Sequence, residues 1–329
     1  MPIFCSLLLE PAIGLVGDTH RRRALVVGGG VGFAAAIGAI AAAPAFGVLL
    51  PALVVAYSTS GAFVSLSQAS LMDLDPVERV RNMARWTLVG SAGVVAAPPL
   101  LAVCVWLGIG WRAAFAALAV VTLGLVVAIR RLPGERRAHV DLAASARHAF
   151  EALRRRDVLR WLLLLQLGDV MLDVFHGFLA LYLVDVAGLT AVHAALAISI
   201  WTGVGLLGDL LLLAVLRHVS PLAYLRASAA IVAIAYPAFL LVPSLGAKLG
   251  LLALLGLLNA GWYAIPQARL YDELPGASGA VVAIGPLAGL AGGVLPLGIG
   301  YLAGAVGLAG AMWVMVAAPL LLLVALPRR

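Results

Sequence analysis

Residues 13–23 read IGLVGDTHRRR, and the hexapeptide that opens this stretch returns as VGLLGD at 204–209. A second pair behaves alike: QASLMD at 68–73 returns as QARLYD at 267–272. The offsets, 191 and 199 residues, are nearly equal, and at the larger one Gly90, Gly93 and Pro98 are echoed by Gly289, Gly292, Gly293 and Pro296. Repetition over so long a period means two halves built alike and running in the same direction.

Composition says what the halves are made of. Of 329 residues, 64% are hydrophobic and 11% charged, against roughly 45–50% and 25% in soluble domains. No water-soluble core hides that much apolar side chain, and apolar runs of about 20 residues, the length that crosses a bilayer, recur along the whole chain. The net charge of +7 comes from Lys and Arg crowded into a few short connections, a pattern that suits lipid headgroups and argues against nucleic acid as a partner. Cys5 and Cys104 sit in apolar segments with no CxxC or Cys/His spacing, so neither a disulfide, a metal site nor a cofactor is expected. The N-terminal stretch has no basic start and no A-x-A site, and its arginines follow the apolar run. It reads as part of a transmembrane helix rather than a signal peptide.

Apolar stretches bounded by charge, Pro or Gly predict eleven spans, near 2–17, 24–43, 46–70, 87–107, 112–131, 159–184, 191–215, 222–243, 248–268, 279–304 and 307–326. All are expected to be helices, because lipid offers no partner for free backbone groups and no dyad pattern of a barrel is present. With the loop from Asp18 to Arg23 inside, all but two of the 22 basic residues, Arg112 and Lys248, fall on that same side. This bias predicts an outside N-terminus, a cytoplasmic C-terminus and, for a bacterial chain, the inner membrane. The domain reading is a five-span bundle over 1–131, a cytoplasmic amphipathic linker over 132–157 with helical spacing at Val140, Ala144, Phe150 and Leu153, and a six-span bundle over 158–329. The linker reads as a connector touching anionic headgroups.

The repeat also tests completeness. The second half places a full span, 159–184, before its VGLLGD helix, whereas its counterpart in the first half falls before Met1. The expectation is that one helix is missing, either through a start placed too late or through true truncation.

These residues resemble the major facilitator superfamily, whose members have two six-helix halves joined by a cytoplasmic linker. Its loop signature G-x-x-x-D-x-x-G-R-K/R looks like Gly14, Asp18, Arg22 and Arg23, with Thr19 and Arg21 as departures. By resemblance this segment is a cytoplasmic latch, its carboxylate meeting basic groups and a helix N-terminus. An ordinary positive-inside loop is the competing reading. The antiporter signature G-x-x-x-G-P is similar to Gly93, Ala97 and Pro98, where small-residue packing is an equal alternative. The family's membrane R-x-x-Q-G aligns with Tyr57, Ser60 and Gly61, so its arginine is absent. The segment 61–100 resembles members distantly similar to the fosmidomycin-efflux branch.

Gln166, Asp169, Asp173 and His176 follow i, i+3, i+7, i+10 spacing and form one polar stripe. A carboxylate at mid-span costs roughly 2.5–3.5 kcal/mol on insertion scales, so two on one helix imply a wet cavity or polar partners. Asp169, Asp173, His176 and the lone Glu10 are the proton-coupling candidates, with purely structural pairing as the alternative. Tyr57, Ser65 and Gln68 on one helix match Asn259, Tyr263 and Gln267 on another. With Gln166 these are the candidate substrate contacts, on helices that line the cavity by resemblance, and an aromatic and amide wall suits an amphiphilic solute better than a sugar. Asp209 mirrors Asp18 as a weaker latch beside Arg217 and His218. No H-E-x-x-H, G-x-S-x-G or D-D-x-x-D signature of an intramembrane enzyme occurs. The expectation is a monomeric secondary transporter that exports a small solute against protons, with a non-transporting remnant as the rival reading.

Overall fold

The computed structural model describes residues 2–132 and 142–327, with side chains described for all of these except 2–8 and 287–293. Val140, Arg328 and Arg329 lie outside the described residues. Among those described no strand occurs, and the helices are α1 (Pro2–Gly17), α2 (Arg22–Ala42), α3 (Phe46–Leu74), α4 (Arg79–Trp106), α5 (Gly110–Arg131), α6 (Leu142–Ala152) and α7 (Arg156–Val186). The second half continues with α8 (Ala191–Val215), α9 (Pro221–Leu241), α10 (Leu245–Leu258), α11 (Ala264–Glu273), α12 (Ser278–Met312) and α13 (Ala317–Ala325). An all-helical chain is what apolar spans demand, since each peptide group finds its partner one turn away. Among the described residues eight helices are long and apolar enough to cross a bilayer, while α1 and α10, with 16 and 14 residues, are shorter.

Several helix ends follow from local chemistry. Ser220 accepts the N–H of Ala223 and is followed by Pro221, while Thr190 accepts the N–H of His193. Both are hydroxyl caps, and Pro at the first helical position costs no backbone bond.

The helices are not regular throughout. Turns of π-helix interrupt α3 at Gly61–Ser65 and α7 at Val170–Val174 and Tyr182–Val186. The span expected near 248–268 is broken between α10 and α11, where Gly261 takes a left-handed φ of 81°. Only glycine adopts that conformation without strain. This break and the π turn of α3 occupy matching places in the repeat. The stop expected near 304–307 is a non-helical Gly307 within α12 rather than a loop.

Two compact units form, and they follow packing rather than chain order. The first comprises Met1–Val77, Ala96–Val158 and Tyr271–Leu287, and the second Glu78–Val95, Leu159–Leu270 and Ala288–Arg329. In the first unit a methyl on Gly29 or Gly30 would press into Ala62 or Phe63, so bare glycines set the close approach of α2 and α3. In the second, Gly208 and Gly256 do the same for α8 and α10, whose backbones face each other across them. Phe175 is fully buried there and meets the rings of Trp201, Tyr236 and Phe239 edge-on at 5.7, 5.4 and 5.9 Å, the arrangement ring quadrupoles favour.

The linker helix packs against the protein by its small residues. Ser145, Ala149 and Ala152 are the buried side of α6, while Phe150 is exposed and sits under the Arg154 guanidinium. Small side chains let α6 lie close to α1, a gain that outweighs hiding one phenylalanine.

Candidate functional site

Two polar constellations stand out, one in each unit. In the first, α1 stops at Gly17 and delivers Asp18 to the start of α12. The Asp18 carboxylate accepts the backbone N–H of Gly279 at 2.6 Å and of Ala280 at 2.9 Å, and the Ser145 hydroxyl at 3.1 Å. The first N–H groups of a helix have no intrahelical partner, and its dipole places positive charge there, so a carboxylate is the natural cap. Arg22, one turn on, donates to Gly17 O at 2.6 Å, Asp73 at 2.8 Å and Ser278 Oγ at 2.6 Å, and lies 3.5 Å from Asp18. Asp18 and Arg22 are both buried, and burial holds the Asp18 carboxyl above its ordinary value of 3.8, against the pull of the Gly279 N–H, Arg22, Ser145 and the Ala280 N–H.

Gly14 explains how α1 and α12 come so near. An added methyl would collide with the backbone of Gly279 and Ala283. Arg23, grouped with this cluster by its sequence neighbours, points elsewhere: its guanidinium donates to Arg130 O at 2.9 Å and Leu132 O at 2.6 Å, at the end of α5. Consecutive helical residues diverge by about 100°, so Arg22 and Arg23 cannot serve one partner. Asp73, Ser145 and Ser278 were missed by sequence reasoning. The repeated hexapeptide QASLMD ends in Asp73, and that repetition was the available signal.

The second constellation lines a cavity of about 440 Å³ bounded by α7, α8, the turn after α10 and the stretch of α4 from Trp86 to Val95. Asp169, Asp173 and His176 of the expected stripe all face it, as do Asn259 and Tyr263. The π turn at Val170–Val174 lies between Asp169 and His176 and shifts the helical phase, yet both carboxylates stay on the cavity side. Such turns recur at functional sites because they redirect side chains within a helix. Gln166 donates to Asp169 at 3.3 Å, and the Asp173 carboxylate accepts no hydrogen bond from the described residues.

Asp209 departs from its expected role. It lies inside α8, which runs on to Val215, and its partner is the Ser91 hydroxyl at 2.5 Å rather than Arg217 or His218. Because α8 continues past the point where α1 ends, the repeated Gly-Asp pair sits within a helix and not at a turn. Asp209 thereby joins the cavity wall, together with Trp86 and Trp201.

Other expected contacts are not among the residues that line this cavity. Tyr57, Ser65 and Gln68 belong to the first unit, where Gln68 is buried and accepts from the Tyr271 hydroxyl at 3.4 Å. Glu10 packs over Gly61, where a methyl would come within 2.9 Å of its Cγ. Gln267 is half-buried on α11. Among the described residues no three His, Cys, Asp or Glu side chains converge as metal ligands do.

An all-helical chain with eight apolar membrane-length helices, a capped loop carboxylate and acidic groups on a cavity wall is a polytopic membrane protein. The model of the Major Facilitator Superfamily matches residues 1–295, and the chain belongs to that superfamily. A variant of the E. coli fucose:proton symporter FucP is similar at 15% identity over 98% of this chain and 87% of its own, with a TM-score of 0.81. FucP in the outward conformation is similar at 15% identity, 98% and 86% coverage and a TM-score of 0.83. The human organic anion transporter MFSD10 (TETRAN) follows at 22%, with 99% and 82% coverage and a TM-score of 0.75. At these identities the likeness is one of fold. No curated protein sequence matches the chain.

Proposed function

We propose that this chain is a secondary active transporter that moves a small amphiphilic solute by alternating access and exchanges it for protons, in the direction of export. The observation that carries the reading is Asp169 and Asp173, two carboxylates one turn apart on a membrane-spanning helix, facing a cavity beside His176. Acidic groups are retained at that depth where water, a proton or a solute meets them. That FucP is a proton symporter is consistent with proton coupling, while export rests on the resemblance to efflux members. Glu10 is a third coupling candidate, and Tyr57, Ser65, Gln68, Gln166, Asn259, Tyr263 and Gln267 are the proposed solute contacts.

In this reading eleven helices span a bacterial inner membrane, α1 and α10 among them, with the C-terminus cytoplasmic and the protein a monomer. The bias of basic residues to one set of loops supports that orientation. The cluster of Gly14, Asp18 and Arg22 acts as the cytoplasmic latch.

The test is the full chain reconstituted in liposomes under an imposed pH gradient, with ethidium, chloramphenicol and taurocholate as solutes. Gradient-driven movement of at least one is expected, reduced at least tenfold by Asp169→Asn or Asp173→Asn. Undiminished movement in Asp169→Asn, Asp173→Asn and Glu10→Gln alike would remove the coupling roles.

A further inference from the structure

The titratable side chains on the cavity wall are mostly acidic, with His176 as the one imidazole among them. Asp169, Asp173 and Asp209 face it, and among the described residues no Lys or Arg does. Lys248, a buried cation of this unit, lies outside the cavity wall, its ammonium donating to Tyr182 Oη at 3.1 Å and Phe239 O at 2.7 Å. Asp209 has one neutral donor, Ser91, and Asp169 has another, Gln166, so neither carboxylate meets a cation. Carboxylates lining a cavity of low dielectric attract a positive charge strongly and repel a negative one.

A second observation points to an occupant. Trp201 and Asn259, 6% and 3% exposed, line the same cavity, and neither Trp201 Nε1 nor Asn259 Oδ1 has a hydrogen-bond partner. The Asn259 amide nitrogen donates to Met171 O at 3.4 Å, while its oxygen is buried and accepts no hydrogen bond. Buried polar atoms are ordinarily satisfied, so unsatisfied ones on a cavity wall mark where a ligand or water sits. Trp86 and Trp201 add aromatic faces, which attract cations through their quadrupole and bury apolar surface at the same time.

We infer that this cavity selects a hydrophobic organic cation, held by the carboxylates of Asp169, Asp173 and Asp209, with the unpartnered oxygen of Asn259 and the rings of Trp86 and Trp201 on the same wall. This rests on the proposed transport reading for its biological purpose, but the preference for charge is a property of the cavity alone. A neutral solute leaves the three carboxylates uncompensated, and an anion is repelled.

The experiment uses the purified full chain in detergent and two probes of one shape and opposite charge, tetraphenylphosphonium and tetraphenylborate, with binding read by equilibrium dialysis and quenching of tryptophan fluorescence. Saturable tetraphenylphosphonium binding is expected, at least tenfold tighter than tetraphenylborate, and Asp173→Asn is expected to weaken it about tenfold with elution volume and helix content unchanged. The comparison of the two probes on the unaltered chain keeps the test decisive should the variant misfold. Equal binding of both probes, binding of tetraphenylborate alone, or full retention of cation binding in correctly folded Asp169→Asn and Asp173→Asn would overturn the assignment. Gradient-driven transport of taurocholate without tetraphenylphosphonium binding would overturn the cation assignment and leave the transporter reading standing. Cation binding with no solute moved across liposomes would support the assignment and sink the transporter reading instead.

Discussion

The Asp18 carboxylate caps α12 by accepting the backbone N–H of Gly279 at 2.6 Å, across 261 residues of chain. Asp18 sits where α1 ends, and Gly279 is the second residue of α12. One side chain therefore ties the C-terminus of one helix to the N-terminus of another, and the neighbouring Ala280 N–H and Ser145 hydroxyl complete its coordination.

Removing that cap has a calculable cost. Asp18→Ala leaves the N–H groups of Gly279 and Ala280 without their acceptor, and loss of an N-cap typically costs about 0.5–2 kcal/mol. A lower thermal midpoint in detergent is expected, with faster labelling of a cysteine placed at Ser278. An unchanged midpoint and unchanged labelling would show that the cap carries no stability.

The pH dependence of the same group has a definite sign. Burial raises the Asp18 carboxyl above 3.8, so folding favours its protonated form. Its contribution to stability is then fully present below pH 3.8 and is lost as the pH rises through the folded value, with a slope of at most about 1.4 kcal/mol per pH unit. The difference in thermal midpoint between wild type and Asp18→Asn is expected to favour wild type most in acid and to shrink as pH rises. A difference that grows with pH would contradict this.

Arg22 and Asp73 form a pair at 2.8 Å, with Arg22 3% exposed. Truncating one partner of a buried pair costs about 3–5 kcal/mol, because the other charge is left stranded. Arg22→Ala is expected to destabilise more than Asp73→Asn, since it strands two carboxylates, and the double variant to cost less than the sum. Arg22→Lys is expected to fall between, because a single ammonium cannot reach Gly17 O, Asp73 and Ser278 together. Additive denaturation midpoints across this cycle would mean the pair is not coupled.

Gly14 tests the helix approach directly. A methyl there meets the backbone of Ala283 and Gly279, which cannot rotate aside as a side chain does. Gly14→Ala is expected to cost about 1–3 kcal/mol through overpacking. Gly38→Ala, with no atom within 4 Å of the new methyl, serves as its control and is expected to be neutral or mildly stabilising. Equal melting behaviour for the two would refute the close approach.

Much of this architecture was legible because it is local. Apolar runs show the helices, since a chain in lipid has one way to satisfy its backbone. Gln166, Asp169, Asp173 and His176 are readable as one face from spacing alone, and three of the four line the cavity. Gly14, Asp18 and Arg22 are readable as a unit because they lie within nine residues. Where expectation and structure part, the cause is geometric. Arg23 follows Arg22 in sequence but points off by the angle of one helical step, and Asp209 repeats Asp18 but sits in a helix that does not stop.

Sequence by itself determined that this is a repeated, helical membrane chain with acidic groups placed on membrane helices, because hydropathy and periodicity act within a few turns of the residue concerned. Only the tertiary structure decided that Asp18 caps Gly279, that Asp73 receives Arg22, and that Asp209 joins Asp169 and Asp173 on one cavity wall. Those partners lie tens to hundreds of residues apart. Their meeting depends on how closely glycine-faced helices approach one another and on where a π turn shifts the helical phase, and neither is written in the spacing of any single segment.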